Sequence, residues 1–246
     1  MEKLIYILCI CIFALGCSKG DIPVEEETDP CSLLVDGVYM FPTEKPDSTL
    51  TKEEIKEYWN IPEDVLGCIT TEGLIKSCYK TIYGVVIEAS NGYQSGYKLL
   101  KGWCRGFDEL ERRHDAPAAL ISYFKSKELP HTLDYNLYAI EIASAQDSIL
   151  KRFTKEQKIE MLNMELNYHA ERREIFNRNS IIHDGTIVFM GRLMVFDKNA
   201  QFLQSLERNE ELNSFMEGTG KYILSLAGAD TIVHYTEDYL VELNSN

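Results

Sequence analysis

Among the 246 residues, His169 has the surroundings best suited to acid–base chemistry. Glu165 stands one helical turn before it and Arg173 one turn after, a spacing that stacks all three on one face of a helix. A carboxylate beside an imidazole is how a general base is tuned. The same ladder also satisfies a buried histidine or laces a helix surface, and that structural use is the expectation here. His114, His131, His183 and His234 are scattered, and no His-Glu-x-x-His pair occurs, so a zinc hydrolase of that kind has no support. Glu25, Glu26, Glu27 and Asp29 cluster without the spacing or the glycine of a calcium loop and read as solvated charge. Asp108, Glu109 and Glu111 beside Arg112 and Arg113 read as a mixed-charge helix surface. There is no Gly-x-Ser-x-Gly turn, phosphate loop or dinucleotide fingerprint. The sequence thus assigns no catalytic residue, no metal ligand and no cofactor, and leans away from an enzyme.

Recognition has a better candidate. Tyr83, Tyr93, Tyr97, Trp103 and Phe107 interleave with Gly84, Gly92, Gly96, Gly102 and Gly106. Rings with polar handles bury much area at low entropic cost, which suits peptide or sugar binding. Tyr93, Tyr97 and Trp103 are therefore the expected ligand surface, against the plainer reading that the glycines let the protein's own helices approach. A formal charge of −14, from 39 acidic and 25 basic residues, excludes nucleic acid as a partner and disfavours anionic lipid surfaces. Its simplest consequence is solubility.

The N-terminus reads as an address and an anchor. Lys3 precedes an apolar run from Leu4 to Leu15, then Gly16, Cys17 and the polar Ser18-Lys19-Gly20-Asp21. A helix of this run would rise roughly 18 Å, too short for the ~30 Å hydrocarbon core of a bilayer. It fits the hydrophobic region of a signal peptide. Ala14-Leu15-Gly16-Cys17 resembles a bacterial lipobox in its permissive form, with Ala14 where leucine is commonest and Leu15 where a small residue is. The resemblance implies cleavage after Gly16 and a lipid on Cys17, so the membrane is a partner through that anchor. Several acyl chains, at ~0.8 kcal/mol per buried methylene, far exceed the marginal hold of one. Residues 17–30 form an acidic tether with two prolines that has no core of its own. Its Ser-Lys start and acidic block resemble the surface-export signal of Bacteroidota-type lipoproteins, interrupted by Gly20. The implied address is the cell envelope at the outer membrane, periplasmic or surface-exposed. With residues 1–16 as signal and 17–30 as tether, 31–246 is one domain, large enough for a sizeable core.

That domain reads as helical throughout. Thr51-Lys52-Glu53-Glu54 and Thr154-Lys155-Glu156-Gln157 are capping boxes. Pro62 and Pro117 suit first helical turns. The spacing predicts helices from Thr51, Pro62, Thr70 or Thr71, and Asp115, one long or two shorter helices over Asp134–Phe153, and the clearest over Lys155–Phe176. Further helices follow from Asp184, Asn199 and Glu210, at Tyr222–Leu226 and over Thr231–Leu243, the last rich enough in β-branched residues for a strand. Leu129-Pro130 closes the helix begun at Asp115. The expected fold is all-α: short stacked helical hairpins, as an irregular bundle or a HEAT-like α-solenoid. No internal repeat is visible. Ile61-Pro62-Glu63-Asp64-Val65-Leu66-Gly67-Cys68-Ile69-Thr70-Thr71-Glu72-Gly73-Leu74, with Tyr93-Gln94-Ser95-Gly96, resembles a family of uncharacterised Bacteroidota-type secreted proteins and lipoproteins over roughly Thr51–Ser126. The resemblance implies an all-helical fold and no assigned activity.

With Cys9 and Cys11 lost in the signal and Cys17 lipidated, Cys31, Cys68, Cys78 and Cys104 remain. An oxidising compartment permits disulfides among them in any of three pairings. The function that fits best is a non-enzymatic envelope lipoprotein that binds a protein, peptide or glycan. The alternatives are an envelope hydrolase, which needs acids converging in one pocket, and a protective, immunity-type lipoprotein, which needs a single-sign acidic face.

Overall fold

The computed structural model describes residues 29–127, 134–175, 185–218 and 224–245. The signal segment, Cys17, the tether up to residue 28, His131, His183, Leu129, Pro130, Phe176, Asp184 and Tyr222 lie outside the described residues. The fold is all-α and bundle-like, with one small departure. Leu34–Val35 (β1) and Val38–Tyr39 (β2) pair antiparallel. Asp36 and Gly37, both at positive φ, turn between them. Asp-Gly is the pair that a two-residue hairpin turn selects. Too short to show alternation, this hairpin is absent from the sequence reading.

Both predicted capping boxes form, but the expected cap at Asp115 does not. Lys52–Tyr58 (α1) opens on Thr51, whose hydroxyl accepts from the Glu54 amide (3.3 Å) while the Glu54 carboxylate accepts from the Thr51 amide (2.7 Å). Glu63–Cys68 (α2) follows Pro62, and Thr71–Tyr79 (α3) is capped by Thr70. The glycine-rich stretch divides into Val85–Glu88 (α4), Tyr93–Trp103 (α5) and Arg105–Arg112 (α6). At Gly96 a β-carbon would lie 2.5 Å from the Ile87 Cα, so α4 and α5 touch backbone to backbone only because nothing stands between them. Ala116–Lys125 (α7) starts after Asp115, whose carboxylate accepts from the Thr71 hydroxyl (2.7 Å) instead of capping its own helix.

The span after Asp134 resolves into two helices, Tyr135–Ser144 (α8) and Asp147–Leu150 (α9). Lys155–Ile175 (α10) opens on the second capping box, and Gly185–Phe196 (α11) comes next. Ala200–Arg208 (α12), Glu210–Glu217 (α13) and Leu226–Ser245 (α14) complete the order. The C-terminal stretch is helix, not strand.

Two helices act as hubs. α11 is buried almost all round, as an apolar helix at the centre of a bundle must be. It packs against α8, α10 and α14. α3 packs against β2, α6, α7 and α8. In a solenoid each repeat meets only its neighbours. Contacts that skip several helices, α3 to α8 and α11 to α14, make this an irregular bundle. One continuous core runs from Tyr39 to Leu240.

Cys31 and Cys68 are joined, tying the 3₁₀ turn Pro30–Leu33 to the end of α2, while Cys78 and Cys104 are free thiols inside the core. Among the described residues no helix is long and apolar enough to cross a membrane.

Candidate functional site

The rings expected to form a ligand surface are turned to other uses. Tyr93 and Tyr97 are 1% and 2% exposed. The Tyr93 hydroxyl donates to the Met216 carbonyl (2.8 Å), and its ring rests on Phe215. Tyr97 stands edge-on to Phe107. Trp103 is half-buried beside Tyr83, with the Lys52 ammonium 5.9 Å from its ring centre. The three therefore share no surface, which corrects the expectation. Lining helix contacts removes more aromatic area from water than an open ligand face would, and a backbone carbonyl meets the polar end of Tyr93.

A concave feature lies instead on α6, where the sequence suggested only charged surface. A groove of about 870 Å³ is walled by Glu63, Leu66 and Gly67 of α2 and by Arg105, Asp108, Glu109, Glu111 and Arg112 of α6. Ser148 of α9, with Lys151 and Arg152 just after it, closes the third side. Glu111 accepts from the Ser148 hydroxyl (2.6 Å) and pairs with Lys101 (2.9 Å), which also reaches Asp108 (3.0 Å). Burial works against the charge on Lys101, but the two carboxylates outweigh it and hold its pKa above the usual lysine value. The buried Tyr97 hydroxyl faces this group. Burial first, then the Glu111 charge, keeps the phenol neutral well above its ordinary range.

Other cations brace the walls. Arg105 pairs with Glu57 and Glu63, and Arg112 with Glu109 (3.0 Å). Arg113 holds Glu109 (2.6 Å) and donates to the Leu66 and Ile69 carbonyls at the end of α2 (2.6 and 3.1 Å). A guanidinium there satisfies helix carbonyls that have no partner of their own. Arg152 donates to the Glu111 and Arg113 carbonyls (2.5 and 3.3 Å). Lys151 is exposed and makes no ion pair among the described residues. The groove thus presents four carboxylates and four cations in a chain that is otherwise strongly acidic.

His169 occupies a second polar centre, inside the bundle. Glu141, Glu165 and His169 are all buried, at 0%, 1% and 2% exposure. Arg172 grips both oxygens of Glu141, at 3.2 and 2.5 Å. Arg173, grouped with His169 in the sequence reading, turns instead to Asp230 on α14. Tyr168 lies alongside, with burial foremost and then Glu165 raising its phenol to about 12. A buried charge must be paired, and Arg172 meets that need for Glu141. His114 and His234 are exposed on the surface. Among the described residues no three His, Cys, Asp or Glu side chains come together as a metal site.

The class this defines is an all-helical, bundle-like domain with a mixed-charge groove and a buried polar centre. No family model, no curated protein and no solved structure matches the chain.

Proposed function

We propose that the chain is a lipoprotein of the uncharacterised Bacteroidota-type family, anchored in the cell envelope through Cys17, whose domain binds a protein, peptide or glycan. The groove between α2, α6 and α9 carries this reading: it is concave, polar and lined by both signs of charge, which suits a ligand bearing charges or many hydroxyls. Ion pairs and hydroxyls already hold its carboxylates, an arrangement for recognition more than for moving protons. Its alternating charge gives a protective acidic face no support. One observation favours an envelope hydrolase as a second reading: Glu63, Asp108, Glu109 and Glu111 line the same groove.

Two experiments test the proposal. Cys17→Ala should leave the membrane fraction, and a variant that still sediments with membranes overturns the anchor. Anchored protein used as bait in envelope extract should retain a partner, and Arg112→Glu with Lys151→Glu should weaken that retention about tenfold. Recovery of no partner, or equal retention by the variant, overturns the binding role. Release of sugar or peptide fragments by the wild type, lost in Glu111→Gln, would establish the hydrolase instead.

A further inference from the structure

We infer that Cys78 and Cys104 are the site of a second disulfide, stitching α3 to the junction of α5 and α6. The two cysteines are 26 positions apart in the chain, yet both are wholly buried in the core, close enough for each thiol to act on the other's ionisation. Gly106 makes the approach possible, because a β-carbon there would lie 2.7 Å from the Cys78 Sγ. With Cys31 and Cys68 already joined, each of these thiols is the other's remaining partner among the described cysteines. Of the three pairings open to four cysteines, this is the one the fold brings together.

The inference rests on the envelope reading for its oxidant, an external disulfide of protein or small-molecule type. The surroundings divide the roles. The Cys78 thiol hydrogen bond, with the Gly106 and Phe107 amides and the Thr81 hydroxyl, pulls the Cys104 pKa down against its burial. Burial pushes the Cys78 thiol up. Cys104, as thiolate, attacks the external disulfide and expels one thiol. The Cys78 sulfur then attacks the mixed disulfide and expels the second. Two S–H protons leave, one S–S bond forms, and the oxidant takes two electrons to become two thiols. Both sulfurs are closed off in the finished core, so the exchange belongs to folding or to opening of the α3–α6 contact.

Peptide mapping tests this. Full-length protein in detergent is exposed to oxidised glutathione in urea below its unfolding midpoint, alkylated, and digested with trypsin without reduction. Cleavage after Lys76, Lys80, Lys101 and Arg105 releases Ser77–Lys80 and Gly102–Arg105. The expected result is these two peptides joined, with alkylation lost from both and restored by reduction. In Cys104→Ala, Cys78 should be alkylated. If Cys78 and Cys104 are both alkylated while Cys31 and Cys68 are linked, or if Cys78 joins Cys31 or Cys68, the inference is wrong. Because oxidant is added to pure protein, an error in the envelope assignment would not change this outcome.

Discussion

At Gly185 and Gly102 an added methyl group would have opposite effects. A β-carbon at Gly185 would lie 2.3 Å from the Glu141 carboxylate oxygen and 2.5 Å from the Glu141 Cβ. It would push Glu141 off Arg172 at a place where the carboxylate has no exposed surface. Gly185→Ala should lower stability by roughly 2–4 kcal/mol, through overpacking and a weakened buried pair. Gly102 has open space where its β-carbon would be and sits in the last turn of α5. Gly102→Ala should raise stability by about 0.5–1 kcal/mol. Urea unfolding of both variants checks this, and equal midpoints would refute the distinction. Nothing in the sequence separates these two glycines, because what differs is the neighbour that folding brings to each. His169 was partly legible for the same reason. Its helical spacing marks a buried face, but only the packed α8 shows that Arg172, not Arg173, turns inward to a carboxylate.

Among the elements, α1 depends on its cap more than on packing. It has no fully buried residue and meets the rest of the fold mainly through surface contacts such as Glu57 with Arg105, so the capping box at Thr51 carries much of its stability. Thr51→Ala should cost α1 about 1 kcal/mol. The loss should appear as amide exchange of Ile55 and its neighbours roughly fivefold faster, with the global unfolding midpoint unchanged, since local and global opening are separate events. A fall in the global midpoint of the same size would show that α1 belongs to the cooperative core. Capping boxes were the most legible part of the fold because a hydroxyl and a carboxylate or amide oxygen three residues apart act on amides within the same turn. The groove was illegible for the converse reason. Asp108, Glu109, Glu111, Arg112 and Arg113 look like any charged helix surface until α2 and α9 stand on either side of α6.

For the molecule as a whole, buried and half-buried phenols set an alkaline limit. Burial, then the Asp134 hydrogen bond, raises Tyr79 to about 12, and burial with nearby carboxylates raises Tyr168 to about 12. Tyr123 and Tyr239 are raised further, mainly by burial. Unfolded tyrosines ionise near pH 10. From there upward the unfolded chain loses protons that the folded chain keeps. Their stabilisation is complete below about pH 10 and lost as pH rises through about 12. Thermal unfolding should therefore shift downward across that interval, less steeply in Tyr79→Phe with Tyr168→Phe. A profile flat to pH 12 would contradict the packing of these rings against the core.

By itself the sequence determined the helical class, the two capping boxes and most helix starts, because periodicity and capping act within a turn or two of chain. The proposal for Cys17 also rests on sequence alone, since resemblance to a lipobox is read from a linear string. Only the tertiary structure decided which way each aromatic ring points, which glycines are crowded, which cysteines meet and where the surface turns concave. Each of those depends on residues brought together from distant parts of the chain, and local spacing holds no information about them.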